Sequence, residues 1–332
     1  MRKLLTSLIF LISLNSKAYE VDNFTSRDKL NDLPDSLEVL NAKVNSELDK
    51  AIKEANLEGE CTKDANGAPS VSRYFERRVA GGVVSKIESW ASEEKSISRI
   101  EPAENMIYSG KSAASGIILS LVGIEPSIKL NGVFIGVDKL GHFFDQGHAY
   151  FGRMDTDNFF EYGENLEKGW FGLLTTGVKS YGDLGANFSG FKFWTQFFEG
   201  SSPYVKCEKN KYVRVRNFNW ADYVNDSWDE GINCSEFSEA MTKAVGSNLA
   251  RLGLKCPVEE EKCKKMVQMD CAQKFISPKC IEIAADNLNQ TCSWDATIEK
   301  ACESSKEPLP ESYLKDVEKI KTELDEIREL RK

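Results

Sequence analysis

The sequence predicts a mostly α protein: a helical globular domain carrying a short β-hairpin, followed by a disulfide-rich helical C-terminal module. Three observations predict it. Apolar residues recur at helical spacing over long stretches, Asn131-Gly132 sits between two β-prone runs, and six of the nine cysteines fall within residues 256–302.

The chain opens Met1-Arg2-Lys3, runs largely apolar from Leu4 to Leu14, and leaves through Asn15-Ser16-Lys17-Ala18. A basic start, a short apolar run and a small-x-small exit make up a secretory signal peptide, residues 1–18, with cleavage before Tyr19. A membrane span takes roughly 20 apolar residues, and this run is shorter, so no stable span is expected. The mature chain would be periplasmic or secreted. Loss of Arg2, Lys3 and Lys17 takes the net charge from -9 to -12. Nucleic acid and anionic lipid are poor partners for such a surface, whereas a neutral or cationic partner suits it.

Residues 19–253 are expected to form the helical core domain. A helix is predicted over 31–58, capped by Asn31 or Asp32, with Pro34 in its first turn and Gly59 ending it. Its apolar stripe is Leu33, Leu37, Leu40, Val44, Leu48 and Ile52. Residues 60–72 read as a loop, and 107–123 as a buried helix. The hairpin spans 127–136, because both residues of an Asn-Gly turn accept positive φ, and it delivers the chain into a helix at Asp138. Helices continue through 199, a link covers 200–216, and helix resumes over 219–253. Residues 254–305 form the cysteine-rich module. Its gaps are irregular and lack C-x-x-C, so in an exported chain disulfides are expected rather than zinc, with the pairing open. Nine being odd, one thiol at least stays free or pairs between chains. The tail, 306–332, carries Leu314, Val317, Ile320, Leu324 and Ile327 near heptad spacing, an amphipathic helix.

The residues with chemistry to offer lie in 138–199. The two histidines, His142 and His148, are six residues apart. On a helix Asp138, His142 and Asp145 share one face, with His148 off to the side. Asp138, His142 and His148 could hold a metal; alternatively Asp138 caps the helix and His142 takes a core hydrogen bond. Asp183 and Asn187 repeat the i, i+4 form at another helix start. The two starts would meet through Asp138, His142, Asp183 and Asn187. Between them a helix with apolar face Phe160, Gly163, Leu166 and Trp170 places Glu164 and Glu167 beside that face. A carboxylate against aromatic rings tends toward a raised pKa and can act as a general acid, an arrangement glycosidases use. A salt-bridged surface helix is the alternative.

The segments Asp138-Lys-Leu-Gly-His142-Phe143, Ser180-Tyr-Gly-Asp-Leu-Gly-Ala-Asn187 and Trp228-Asp-Glu-Gly-Ile-Asn233 resemble uncharacterised exported proteins of predatory bacteria. The first two pieces also resemble a small bacterial family of unknown function. A further likeness is to the lysozyme by which predatory bacteria cleave deacetylated peptidoglycan. In goose-type lysozymes and lytic transglycosylases a Glu precedes a G-x-G-L-like turn, and here Glu164 precedes Gly169-Trp-Phe-Gly172-Leu173. The Glu-to-glycine gap is shorter here, and no Gln follows the Gly-Leu. The resemblance implies a secreted, lysozyme-like peptidoglycan glycosidase with Glu164 as general acid and Glu167 or Asp183 assisting. Asp138, His142, His148, Tyr181, Asn187 and Trp170 would hold the groove or position substrate, without a cofactor. Deacetylated glycan carries free amines, and an acidic enzyme attracts it. The rival readings are a metal-dependent hydrolase centred on His142 and His148, and a non-catalytic protein that binds an envelope or host surface.

Overall fold

The computed structural model describes residues 20–62, 69–81, 84–109, 123–153, 159–169, 172–198, 202–269 and 271–285. The signal peptide, most of the helix expected at 107–123, Trp170, Cys292, Cys302 and the tail helix lie outside the described residues. The described chain is mostly helical with short strands. None of its helices is long and apolar enough to cross a membrane.

Strand β1 (Glu20–Val21) pairs in parallel with β2 (Ile124–Glu125). Helix α1 (Leu37–Glu58) begins six residues later than the sequence predicts. The segment before it is drawn into the sheet instead, where Ser36 donates its N–H to the Lys129 carbonyl. Leu40, Val44 and Leu48 are buried as expected, and Leu37 and Ile52 are half-buried. Two helices were not foreseen, α2 (Ser70–Val79) and α3 (Lys86–Glu93). The first starts inside the stretch expected to be loop. The hairpin of β3 (Ser127–Leu130) and β4 (Val133–Gly136) stands where predicted, with φ of 53° at Asn131 and 75° at Gly132.

Asp138–Gly141, the π-helical turn His142–Gln146 and Gly147–Phe151 run on as one helix, α4. Helix α5 is Phe159–Lys168, and β5 (Val178–Lys179) leads into α6, Tyr181–Thr195. Nearly every residue of α6 is buried, which makes it the central helix of the fold. It crosses α4 closely at glycine. A Cβ on Gly190 would sit 1.8 Å from the Phe143 carbonyl oxygen, and one on Gly147 would sit 2.5 Å from Gly190.

The expected link at 200–216 is a second hairpin, β6 (Val205–Glu208) with β7 (Lys211–Arg214). The region 219–253 is helical only in part. It holds two 3-10 turns, Trp220–Asp222 and Asp226–Trp228, then β8 (Glu236–Phe237) paired with β5, then α7, Glu239–Leu252. The C-terminal module supplies α8 (Glu260–Met266), α9 (Ala272–Phe275) and α10 (Pro278–Ile283). It shares a core with α5 and α6, in which Phe188 stacks on Phe275 at 4.8 Å. Asn233 fastens the two. Its amide bonds the carbonyls of Tyr181, Ser227 and Phe275, while its oxygen accepts from Ser277 N–H.

Disulfides join Cys61 to Cys207, Cys234 to Cys256 and Cys263 to Cys280, and no described cysteine is free. The disulfide reading of the module holds. The cross-linking also reaches beyond it, since Cys61–Cys207 lies wholly in the core region. Such bonds fit an oxidising compartment.

A buried charge cluster as candidate functional site

The start of α4, the start of α6 and the turn after Trp228 bring a charged cluster together inside the protein. Its centre is Lys139, whose side chain is fully buried. The ammonium lies 2.8 Å from Asp138 Oδ2, 2.5 Å from Asp183 Oδ1 and 2.7 Å from Glu230 Oε1. The ammonium thus faces three carboxylates, hydrogen-bonded to Asp138 and Glu230 and ion-paired with Asp183. Water is shut out, so each charge depends on its partners.

The rest of the network completes those partners. Ser180 caps α6, accepting the Asp183 N–H on its hydroxyl, which donates in turn to Glu230 Oε1 at 2.8 Å. Ser235 donates to the other Glu230 oxygen at 3.1 Å. His142 directs Nε2 to Asp183 Oδ2 at 3.1 Å and Nδ1 to Asn187 Oδ1 at 3.0 Å. The Asn187 amide approaches the Tyr150 hydroxyl at 3.4 Å. Among Lys139, Asp138, Asp183, Glu230 and His142 the imidazole is the most open, its side chain 18% exposed.

Electrostatics follow from burial and from an excess of carboxylates. Burial disfavours charge on Lys139, but Asp138, Asp183 and Glu230 override it and hold the ammonium protonated. Burial likewise opposes charge on His142, yet Asp183, with Glu167 and Asp138 behind it, raises the ring to about 10. For Asp183 the push of burial is outweighed by His142 and Lys139, which keep it ionised, well below the usual range. The remaining acids are raised by burial. Glu167 is lifted to about 8, with Asp183 adding, and Glu88 to about 9, with Glu125 and Asp138 adding.

The two helix starts meet through the four residues expected, but the capping role expected of Asp138 is not found. The Asp138 side chain makes no cap and turns to Lys139, while Ser180 is the cap of α6. Glu164 departs from its expected chemistry. It is half exposed and clamped by Lys168 at 3.0 Å and Lys179 at 3.1 Å. Burial pushes its pKa up, but the two lysines bring it below the normal value, the reverse of what a proton donor needs. Tyr181 belongs to this surface ladder, donating to Glu236 and accepting from Lys179. Glu167 points the other way. It is 2% exposed and accepts the Ser180 N–H at 3.2 Å. His148 lies apart from the cluster, 3.5 Å from Glu76 and with its ring tilted against Trp194, so the two histidines do not converge on one ion. Sequence reasoning missed Lys139, Glu230, Ser180 and Tyr150. The first three stand in the very segments that carry the resemblance.

No protein-family model, no curated protein and no solved structure matches this chain.

Proposed function

We propose that this chain is an exported hydrolase of cell-envelope glycan, with Glu167 rather than Glu164 as proton donor and Asp183 as the ionised carboxylate beside it. One observation carries the reading. Two carboxyls of one network are set oppositely, Glu167 raised to about 8 by burial and by Asp183, and Asp183 held charged by His142 and Lys139. A pair set apart in this way can divide the work of acid and charged partner. Glu167 also precedes Gly169-Trp-Phe-Gly172-Leu173, at a gap shorter still than that of Glu164. The acidic chain supports a cationic, deacetylated glycan as the preferred substrate.

A second reading has its own observation. Glu167 is 2% exposed and the Lys139 cluster is closed to solvent, so a glycan reaches the acid only if the wall above it opens. The same closure supports a non-catalytic envelope-binding protein in which the cluster locks α4 to α6.

One assay separates the two. Purified protein is incubated with acetylated and deacetylated cell walls, and released sugar fragments and wall-bound protein are both measured. The hydrolase reading expects faster release from deacetylated walls and a gap that narrows with added salt. It also expects loss of about a hundredfold or more in Glu167→Gln and little change in Glu164→Gln. Wall binding without any fragment leaves the second reading standing and ends the first.

A further inference from the structure

His142 has a bonding problem that its neighbours define. The Asn187 carbonyl oxygen faces Nδ1 at 3.0 Å, and the tautomer that completes this bond has its hydrogen on Nδ1. The neutral ring would then present the lone pair of Nε2 to a carboxylate oxygen of Asp183, 3.1 Å away. Two lone pairs do not face one another at that distance unless something positive lies between them: a proton or a metal ion. Imidazole held by an amide or carboxylate on its far nitrogen is the usual support of a metal ligand, because it fixes the tautomer and aims the lone pair.

The surroundings supply the other donors. One ligand atom each from Asp138, His142 and Asp183 can be chosen so that all lie within 4.8 Å of one another. Lys139 hydrogen-bonds Oδ2 of Asp138 and is ion-paired with Oδ1 of Asp183, an oxygen that accepts no hydrogen bond. Asp183 Oδ2 is turned to His142. Asp138 Oδ1 has no hydrogen-bond partner although the residue is only 5% exposed. A buried carboxylate oxygen left unbonded is costly, and it is the donor that a metal shared with Asp183 and His142 would use. Lys139 would then be the support that orients both aspartates, as Asn187 orients the imidazole. The partly open edge of His142 offers the path of entry.

We propose that Asp138, His142 and Asp183 bind one divalent first-row metal ion, Zn²⁺ or Mn²⁺, in place of the proton between His142 and Asp183. One imidazole with two carboxylates suits both ions. The set includes Asp183 and excludes His148, unlike the pair of histidines the sequence suggested. The assignment holds whether or not glycan is cleaved; in a hydrolase the ion would supply an activated water.

The test uses the full mature chain with its disulfides intact, stripped with chelator and titrated with ZnCl₂ or MnCl₂ by calorimetry. The expected result is one ion per chain, with affinity at least tenfold weaker in His142→Gln and unchanged in His148→Gln. Because the chain has two histidines, ¹⁵N spectra of the imidazoles give a reading on the wild type that needs no variant. Zinc should move the Nε2 resonance of one ring to the metal-bound range and leave the other ring unchanged. Absence of stoichiometric binding by either ion, or zinc shifting neither ring, overturns the proposal. Metal binding without fragment release would sink the hydrolase alone, and fragment release that survives stripping, without metal binding, would sink the metal alone.

Discussion

At Lys139 the chain exchanges a hydrated ammonium for three carboxylates, and removing one partner of such a buried group typically costs about 3–5 kcal/mol. The compensation is incomplete on the far side of Asp138. There Glu88, from α3, is raised to about 9 by burial and by Glu125 and Asp138, with Asp145 adding and His142 opposing. An acid that binds its proton more tightly folded than unfolded contributes stability at low pH and loses it as pH rises. Unfolded, Glu88 titrates near 4.5. Glu88 should therefore make the metal-free protein lose stability steadily from about pH 4.5 to about pH 9, with Glu167 and His142 acting in the same sense, and Glu88→Gln should reduce that slope. Chemical denaturation across the range in chelator reads it, and equal slopes in the two proteins would show that Glu88 is not the group responsible. How far such a site can be read from sequence depends on the residue. Asp138, His142, Asp183 and Asn187 were legible because i, i+4 spacing puts each pair on one helix face. Lys139 was not, since a lysine next to an aspartate normally faces water. Glu230 was not, because it lies 91 residues from Lys139 and carries no periodic signal. Glu164 and Glu167 sit three apart on one helix, and packing against α4, β5 and α6 decides which is buried.

The contact between α4 and α6 sets the distance over which the cluster forms. Gly190→Ala places a methyl group against the Phe143 carbonyl, where the room is 1.8 Å. Overpacking of this kind typically costs about 1–3 kcal/mol. The variant should melt earlier, and the His142 resonances should shift as α4 is pushed outward. A variant as stable as wild type, with those resonances unmoved, would mean that the helices separate freely there. Elements also differ in how plainly the sequence announces them. The hairpin at Asn131-Gly132 was legible from its turn chemistry, and most of the α1 stripe from its period. The hairpin of β6 and β7 was missed because its turn residues, Lys209 and Asn210, adopt φ of 49° and 63° without a glycine to mark them. The start of α1 was misplaced because a tertiary bond, Ser36 to Lys129, outweighs the local capping signal of Asn31 and Asp32.

At the scale of the whole molecule, the cross-links tie distant parts of the chain. Cys61–Cys207 closes a separation of 146 residues, joining the loop after α1 to β6. Removing a native bond of this kind typically costs about 2–5 kcal/mol, through the freedom returned to the unfolded chain. The double variant Cys61→Ser, Cys207→Ser should lower the denaturant midpoint accordingly, and an unmoved midpoint would show that the bond constrains nothing. Non-covalent ties reach as far. Asn23 donates to the Phe134 carbonyl and Arg27 pairs with Asp229, across separations of 111 and 202 residues. Partners this far apart in sequence have to be present together, so a chain truncated before Glu230 leaves Lys139 with two of its three carboxylates. Completion of the polar core therefore belongs to the whole chain and to no single pair of helices.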